Sequence, residues 1–353
     1  MEGKNDGKRE RVTIHTVAAM AGVSAATVSR VVNNSNLVKP ATRERVLSVL
    51  EEVGFQYPSR LARALRTQRS GLVGLLVTDI LNPYYALLAR EAEDATQELG
   101  MTLLLSNDDG DETVATSRLQ VFGSLNVDGV IVSTWIGKGV KRDALLELRS
   151  RGIGVVGVSD QIDEDEFDTV AVDYRAAARD AVKHLLQIGH RRIGFVGFSR
   201  SAHRVLAYEE ELNAAGLPAP ILLLPSVVSP RRLRELMPAL LPTFLKENAI
   251  TAILAHNDVY ALEVIRTAQS AGYRIPRDLS VIGFDNVPQG DTSTPPLFTY
   301  VPPYRDMLRT AVQLIRQRLE GEGEPSPYKR LFKAEPLPRE SVGLAPNVSS
   351  EQS

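Results

Sequence analysis

From residue 72 to residue 284 the chain repeats one pattern: a short apolar run, then a longer segment whose apolar positions recur at helical spacing. The runs read LVGLLV, MTLLLS, VDGVIVS, IGVVGV, RIGFVGF, ILLLP, TAILA and LSVIGF. Runs that stay apolar without alternating describe strands buried on both faces. The pattern therefore predicts an α/β body of parallel sheets with helices on both sides. In open sheets of this kind a ligand sits beyond the carboxyl ends of the strands, where the loops are.

The first 57 residues carry no such runs. Thr13 can cap a helix over His15 to Ala21, Gly22 stands where a left-handed stop belongs, and Ser24 can cap the next helix. Ala18, Gly22 and Val28 occupy the places where a helix-turn-helix needs a small residue, a residue tolerant of positive φ and an apolar plug. A plain helical hairpin has the same local signature. A third helix, ATRERVLSVLEEVGF, puts Val46, Leu47, Leu50 and Val53 on one side and closes a small three-helix core. The segment YPSRLARALRTQRSG follows, with Pro58 at a helix start, Arg60, Arg63, Arg66 and Arg69 three apart, and Leu61 one turn before Leu65. It reads as a short cationic helix that needs a partner to order it, or as a solvated basic linker.

Charge changes the picture at the head. Residues 1–69 hold 12 Lys and Arg against 6 Asp and Glu, whereas the remainder holds 29 against 37. A basic head on an acidic body fits a polyanion at the head. The chain has no cysteine, which excludes disulfides and thiol catalysis, and its five histidines show no zinc-ligand spacing, so neither metal nor cofactor is expected. No stretch approaches a membrane span and the N-terminus lacks an apolar run, so a cytoplasmic protein is expected, with no membrane partner.

VTIHTVAAMAGVSAATVSRVVNN, the ATRERV helix and the LARALRT linker resemble the head of the LacI/GalR family of bacterial transcription factors. The resemblance continues through VGLLVTDILNPYYALLAREAEDATQELG, HLLQIGHRRIGFVG, AILAHNDVYALEVIRTAQSAG, DLSVIGFDNVP and TPPLFTYV, from Val12 to Gly343. It implies a helix-turn-helix head over residues 1–57, a hinge helix and linker over 58–70, an effector-binding and dimerisation body over 71–343, and a polar tail over 344–353. The body is expected to hold two periplasmic-binding-protein-like subdomains, about 71–160 with 302–324 and about 161–301 with 325–343. The tail has no leucine heptads, so a homodimer is expected.

For DNA, the resemblance implies that the helix from Ser24 to Asn33 enters the major groove of a double-stranded operator. Ala25 and Ala26 make a flat start that can offer methyl contact to thymine, and Arg30 is the candidate for a bidentate guanine contact. Thr13, Ser24, Thr27, Ser29 and Asn33 have short polar groups suited to phosphates, although Ser29 and Asn33 could equally cap within the head. Leu65 matches the hinge leucine that wedges into the minor groove, flanked by Arg60, Leu61, Arg63 and Arg66; the alternative is that Leu65 packs on the body.

For the effector, a sugar or related metabolite, the resemblance points to Asn82, Tyr84, Tyr85, Asp160, Asp173, Arg204, Asn257 and Asp285. Such residues suit a polyhydroxylated ligand: carboxylates accept hydroxyl protons, a guanidinium forks over oxygens, and an aromatic face takes the apolar side of the ring. Asn257 and Asp285 could instead cap the elements that follow them. Pro302, Gln161 and the acidic loop QIDEDEFD depart from the family pattern, which leaves the effector's identity open. A protein co-regulator docking on the body is the alternative to a small molecule. An enzyme is not expected: GIGVVG matches a dinucleotide fingerprint in letters, but its glycines fall inside a strand-like run.

Overall fold

The computed structural model describes residues 13–32, 38–53, 69–133, 140–158, 166–199, 202–224, 230–322 and 327–346. The chain divides into two compact units, Met1–Gly71 with Leu125–Val127, and the remainder.

The head begins with α1 (Ile14–Ala21). Thr13 caps it in a reciprocal box with Thr16: each residue's backbone N–H donates to the other's hydroxyl, at 3.3 and 3.2 Å. Gly22 ends α1 in the left-handed region, φ 63°, which a side chain at that position would resist. The Ser24 hydroxyl then accepts from the Thr27 amide at 3.1 Å and starts α2 (Ala25–Val32). With α3 (Pro40–Glu52), these helices bury Val17, Ala18, Ala21, Val28, Val31, Val46 and Leu50. Leu47 corrects the expected stripe, since it is 49% exposed. Val46, Val49, Leu50 and Val53 recur at helical spacing and pack together, and Leu47 sits about 100° around the axis from Val46.

The body begins with β1 (Leu72–Val77), α4 (Pro83–Glu98), β2 (Thr102–Asn107), α5 (Glu112–Ser124), β3 (Gly129–Ser133), α6 (Val140–Ser150), β4 (Gly154–Gly157) and β5 (Asp168–Val172). It continues with α7 (Tyr174–Gln187), β6 (Ile193–Gly197), α8 (His203–Ala214), β7 (Ile221–Leu223), α9 (Pro230–Glu247), β8 (Ala252–Ala255), α10 (Asp258–Ser270) and β9 (Ser280–Ile282). It closes with α11 (Pro288–Asp291), β10 (Thr299–Val301), α12 (Tyr304–Glu320), β11 (Lys329–Phe332) and β12 (Glu335–Leu337). Two parallel sheets result, ordered β11-β5-β4-β3-β1-β2 and β7-β6-β8-β9, and a short antiparallel pair joins β10 to β12.

The expected break between subdomains at Asp160 is corrected by β5 and β11, both of which pair into the six-stranded sheet. That sheet therefore ends after Val172, and residues 329–332 belong to it rather than to the second subdomain. The run DTVAV hid because a carboxylate opens it. Asp168 is 5% exposed, yet it accepts both arms of Arg318 from α12, at 2.8 and 2.9 Å, and the Tyr328 amide ahead of β11 at 2.7 Å. An ion pair satisfied in this way lets an acidic residue begin a buried strand.

Candidate functional site

Three helices that follow strands of the body are capped by residues expected in the effector site. Asn82 Oδ1 accepts from the Tyr84 amide at 3.1 Å, Asp173 Oδ1 from Ala176 at 2.8 Å and Asn257 Oδ1 from Tyr260 at 3.1 Å. The capping alternative holds for Asn257, and Asn82 and Asp173 cap as well. Each side chain is thereby locked at a carboxyl edge with its second polar group left over.

Asp285 is the pivot. It follows β9 with φ 101°, and Asn286 follows at 53°, two consecutive non-glycine residues at positive φ. Conformations of this kind persist only when the surroundings fix them, and they gather at binding sites. Here the Asp285 amide donates to Tyr300 O at 2.9 Å, the Tyr304 hydroxyl donates to Asp285 O at 3.0 Å, and the Val287 amide donates to Asp258 Oδ2 at 2.9 Å. Gly283 is required just before this turn, because a Cβ there would collide with the Asp258 carboxyl.

Asp285, 3% exposed, accepts a 2.6 Å bond from the hydroxyl of Tyr174, the first residue of α7. Tyr174 in turn lies under Arg204, whose guanidinium carbon is 3.4 Å from the ring centroid and 5.3 Å from that of Phe284. Tyr84 meets Tyr85 and Tyr304 edge-on at 5.0 and 6.0 Å. Side chains from both sheets thus form one aromatic and charged cluster. Burial, aided by Asp285, pushes the Tyr174 and Tyr304 hydroxyls well above their ordinary range. Burial likewise pushes Tyr85 up to about 12. All three stay protonated donors at neutral pH.

The structure brings together Tyr84, Tyr85, Arg204 and Asp285, and sets Asn82, Asp173 and Asn257 at strand ends around them. Asp160 lies outside the described residues. Tyr174, Tyr304 and Phe284 were missed by sequence reasoning. The available signal was adjacency: Tyr174 follows a capping aspartate, and Phe284 stands between the required Gly283 and Asp285. Among the described residues no group of acidic or imidazole side chains could hold a metal.

In the head, Ser24, Ala26 and Arg30 of α2 and its cap are exposed, and Ala26 and Arg30 lie one turn apart on one face. Ala25 turns partly inward against the head core, so the methyl on the exposed face is that of Ala26. Thr13 and Thr27 are engaged at helix starts, and Ser29 is half-buried. Asn33, Arg60, Leu61, Arg63, Leu65 and Arg66 lie outside the described residues.

A small helix-turn-helix head ahead of a two-sheet α/β body is the architecture of a DNA-binding regulator. Residues 13–58 match the bacterial regulatory proteins of the lacI family, and residues 182–342 match the periplasmic binding protein-like domain. The HTH-type transcriptional regulator DegA of Bacillus subtilis (strain 168) is 34% identical over 84% of this chain and 88% of its own. Catabolite control protein A of Priestia megaterium is 33% identical over 88% and 93%. The lac repressor dimer bound to operator and the anti-inducer ONPF shares the fold at a TM-score of 0.78, with 22% identity, covering 94% of this chain and 99% of that one. The complex of the transcriptional regulator CelR with cellobiose gives a TM-score of 0.67, with 26% identity, over 94% and 100%.

The chain belongs to the LacI family of bacterial transcriptional regulators. DegA is a transcriptional regulator. The GIGVVG letters fall largely within β4, Gly154–Gly157, which is incompatible with a phosphate-cradling turn. No helix among the described residues is long and apolar enough to cross a membrane.

Proposed function

We propose that the protein represses transcription as a homodimer on a pseudo-palindromic operator, and that a small polyhydroxylated effector bound at the strand-end cluster controls it. The observation that carries this reading is the chain of contacts Arg204–Tyr174–Asp285–Tyr304–Tyr84, which draws both sheets onto one site. A ligand there changes the balance between open and closed bodies by its differential affinity for the two, and the head senses that balance through the dimer. Arg30 and Ala26 read base edges, while Thr13, Ser24, Thr27, Ser29 and Asn33 face phosphates. Arg60, Leu61, Arg63, Leu65 and Arg66 serve as the hinge in the minor groove.

Structures of relatives hold cellobiose, D-xylulofuranose and ribose, which makes these the first probes. Thermal unfolding with each sugar tests the site, since a ligand at 100 times its Kd stabilises the folded state by about 2.7 kcal/mol. Operator affinity, on duplexes selected from a random library, is then measured with and without the stabilising sugar. A sugar that stabilises the protein and shifts its operator affinity is expected. Stabilisation with no change in operator affinity would refute the coupling, and a protein co-regulator that shifts it alone would replace the sugar in this scheme.

A further inference from the structure

Asp285 and Asn286 hold the turn after β9 at φ 101° and 53°, and conformations of this kind relax unless several contacts oppose it. The two amides that follow Asp285 are both held by side chains from elsewhere in the body. The Asn286 amide donates to Thr299 Oγ1 of β10 at 3.3 Å, and the Val287 amide donates to Asp258 Oδ2 at 2.9 Å. The Thr299 hydroxyl donates in turn to Asp258 Oδ1 at 2.7 Å, so hydroxyl and carboxylate clasp the turn as one unit. Thr299 and Asp258 are both fully buried. Arg339, beyond β12, adds a second brace by donating to Asn286 Oδ1 and to Leu297 O, each at 3.0 Å.

Helix capping does not account for Asp258. It is the first residue of α10, where a carboxylate favours the helix amides, yet both of its oxygens carry bonds to the turn and to β10. The cap of α10 is supplied by Asn257. Burying a carboxylate is costly unless donors satisfy it, and a valine in place of Thr299 would fill similar space with no polar atom to satisfy. What the two polar groups add is rigidity at one place. The Gly283 amide donates to Phe298 O and the Asp285 amide to Tyr300 O, both at 2.9 Å, so the chain ahead of the turn is tied to the β10 segment as well. Asp285 is thereby fixed on both sides, and its carboxylate accepts from Tyr174 at 2.6 Å in that position.

Resting on the effector reading above, we infer that Thr299 and Asp258 are positioning residues of the effector site. They act through the Asn286 and Val287 amides, holding the Asp285 carboxylate where Tyr174 and the effector meet it. Preorganisation of this kind lowers the ordering cost of binding. Its loss weakens both the effector and the Tyr174–Asp285 bond without deleting a group from either.

Two measurements on the full-length protein test this. Thr299→Val keeps the shape of the side chain and deletes the hydroxyl, whereas Thr299→Ser keeps the hydroxyl. With cellobiose, D-xylulose and D-ribose as probes, and with every variant folded by circular dichroism, the sugar that binds the wild type should bind Thr299→Val roughly 10-fold more weakly. Thr299→Ser should stay close to the wild type. An unchanged dissociation constant in Thr299→Val beside a lowered unfolding midpoint would make Thr299 structural only and overturn the inference, as would an equal loss in Thr299→Ser, which would assign the effect to the methyl group. The second measurement needs no sugar. The shift that Tyr174→Phe causes in the urea midpoint should fall to less than about half in the Thr299→Val background and recover in Thr299→Ser, because independent sites would leave it unchanged. A full shift in Thr299→Val, or no shift in the wild type, would overturn the inference. If Thr299→Val does not fold, Arg339→Met, which removes the donors to Asn286 Oδ1 and Leu297 O, takes its place in both measurements. If none of the three sugars binds the wild type, the sugar reading fails, and the urea shifts alone decide whether the clasp positions Asp285.

Discussion

The Tyr174–Asp285 bond joins a residue that follows β5 of one sheet to a residue that follows β9 of the other. The hydroxyl lies 2.6 Å from Oδ1, both residues are at most 4% exposed, and bonds to charged groups contribute about 1.5–3 kcal/mol. Tyr174→Phe removes only the hydroxyl: the ring that carries Arg204 at 3.4 Å and meets Phe284 edge-on at 6.0 Å remains. The arrangement that holds this bond should therefore lose about 1.5–3 kcal/mol, a roughly 10- to 150-fold weaker grip on any ligand that requires it. A double-mutant cycle with Asp285→Asn, read by urea unfolding of the full chain, isolates the pair. We expect a coupling energy above about 1 kcal/mol, whereas independent sites add to within roughly 0.5 kcal/mol. Additive losses would show that the two groups do not act as a unit, and the account of Asp285 as pivot would fall.

Other perturbations follow from the same contacts. Arg30→Ala should lower affinity for the selected operator by about 1–3 kcal/mol and leave binding to scrambled duplexes nearly intact; equal losses in fluorescence anisotropy would make Arg30 a phosphate contact. Asp168→Ala should destabilise the body by about 3 kcal/mol, the low end for a broken buried pair because Arg318 is 23% exposed, and chemical denaturation measures it. His190 is fully buried, with Nδ1 2.9 Å from Thr251 Oγ1 and Nε2 3.1 Å from Gly343 O. Burial, opposed by the bond to Gly343, lowers its pKa below the ordinary 6.5, so the folded state binds fewer protons than the unfolded one. Its contribution is complete above pH 6.5 and is lost as pH falls below that value. The melting temperature of wild type should therefore drop more steeply below about pH 6.5 than that of His190→Gln.

Eight strands of the body were legible because each is a continuous apolar run, the pattern of a strand between helix layers, although β2 and β7 at the sheet edges are only partly buried. The strand β5 was not, because its first residue is Asp168 and the carboxylate's partners, Arg318 and Tyr328, come from 150 and 160 residues away. No local window contains that information. Leu47 failed for the opposite reason: local periodicity allowed it either side, and only packing of Val46 and Leu50 against α1 and α2 fixed the face. In the site, resemblance located the polar residues but not the tyrosines. Tyr174 and Tyr304 matter through Asp285, which lies 111 residues from the first and 19 from the second, so their roles emerge only once β5 and α12 are in place.

Capping was the competing reading of Asn257 and Asp285; Asn257 does cap, as do Asn82 and Asp173, and a cap is compatible with ligand binding by the polar group it leaves over. A free asparagine rotates between donor and acceptor; one whose oxygen holds a helix amide can present only its NH2. The caps therefore fix both the rotamers and the polarity of the wall before any ligand arrives, and this preorganisation reduces the ordering cost of binding. Beyond their caps, Asp173 keeps one carboxylate oxygen and Asn257 its NH2. On the effector reading proposed above, a ligand hydroxyl toward Asp173 and an acceptor oxygen toward the Asn257 amide would satisfy both of these preset groups at once.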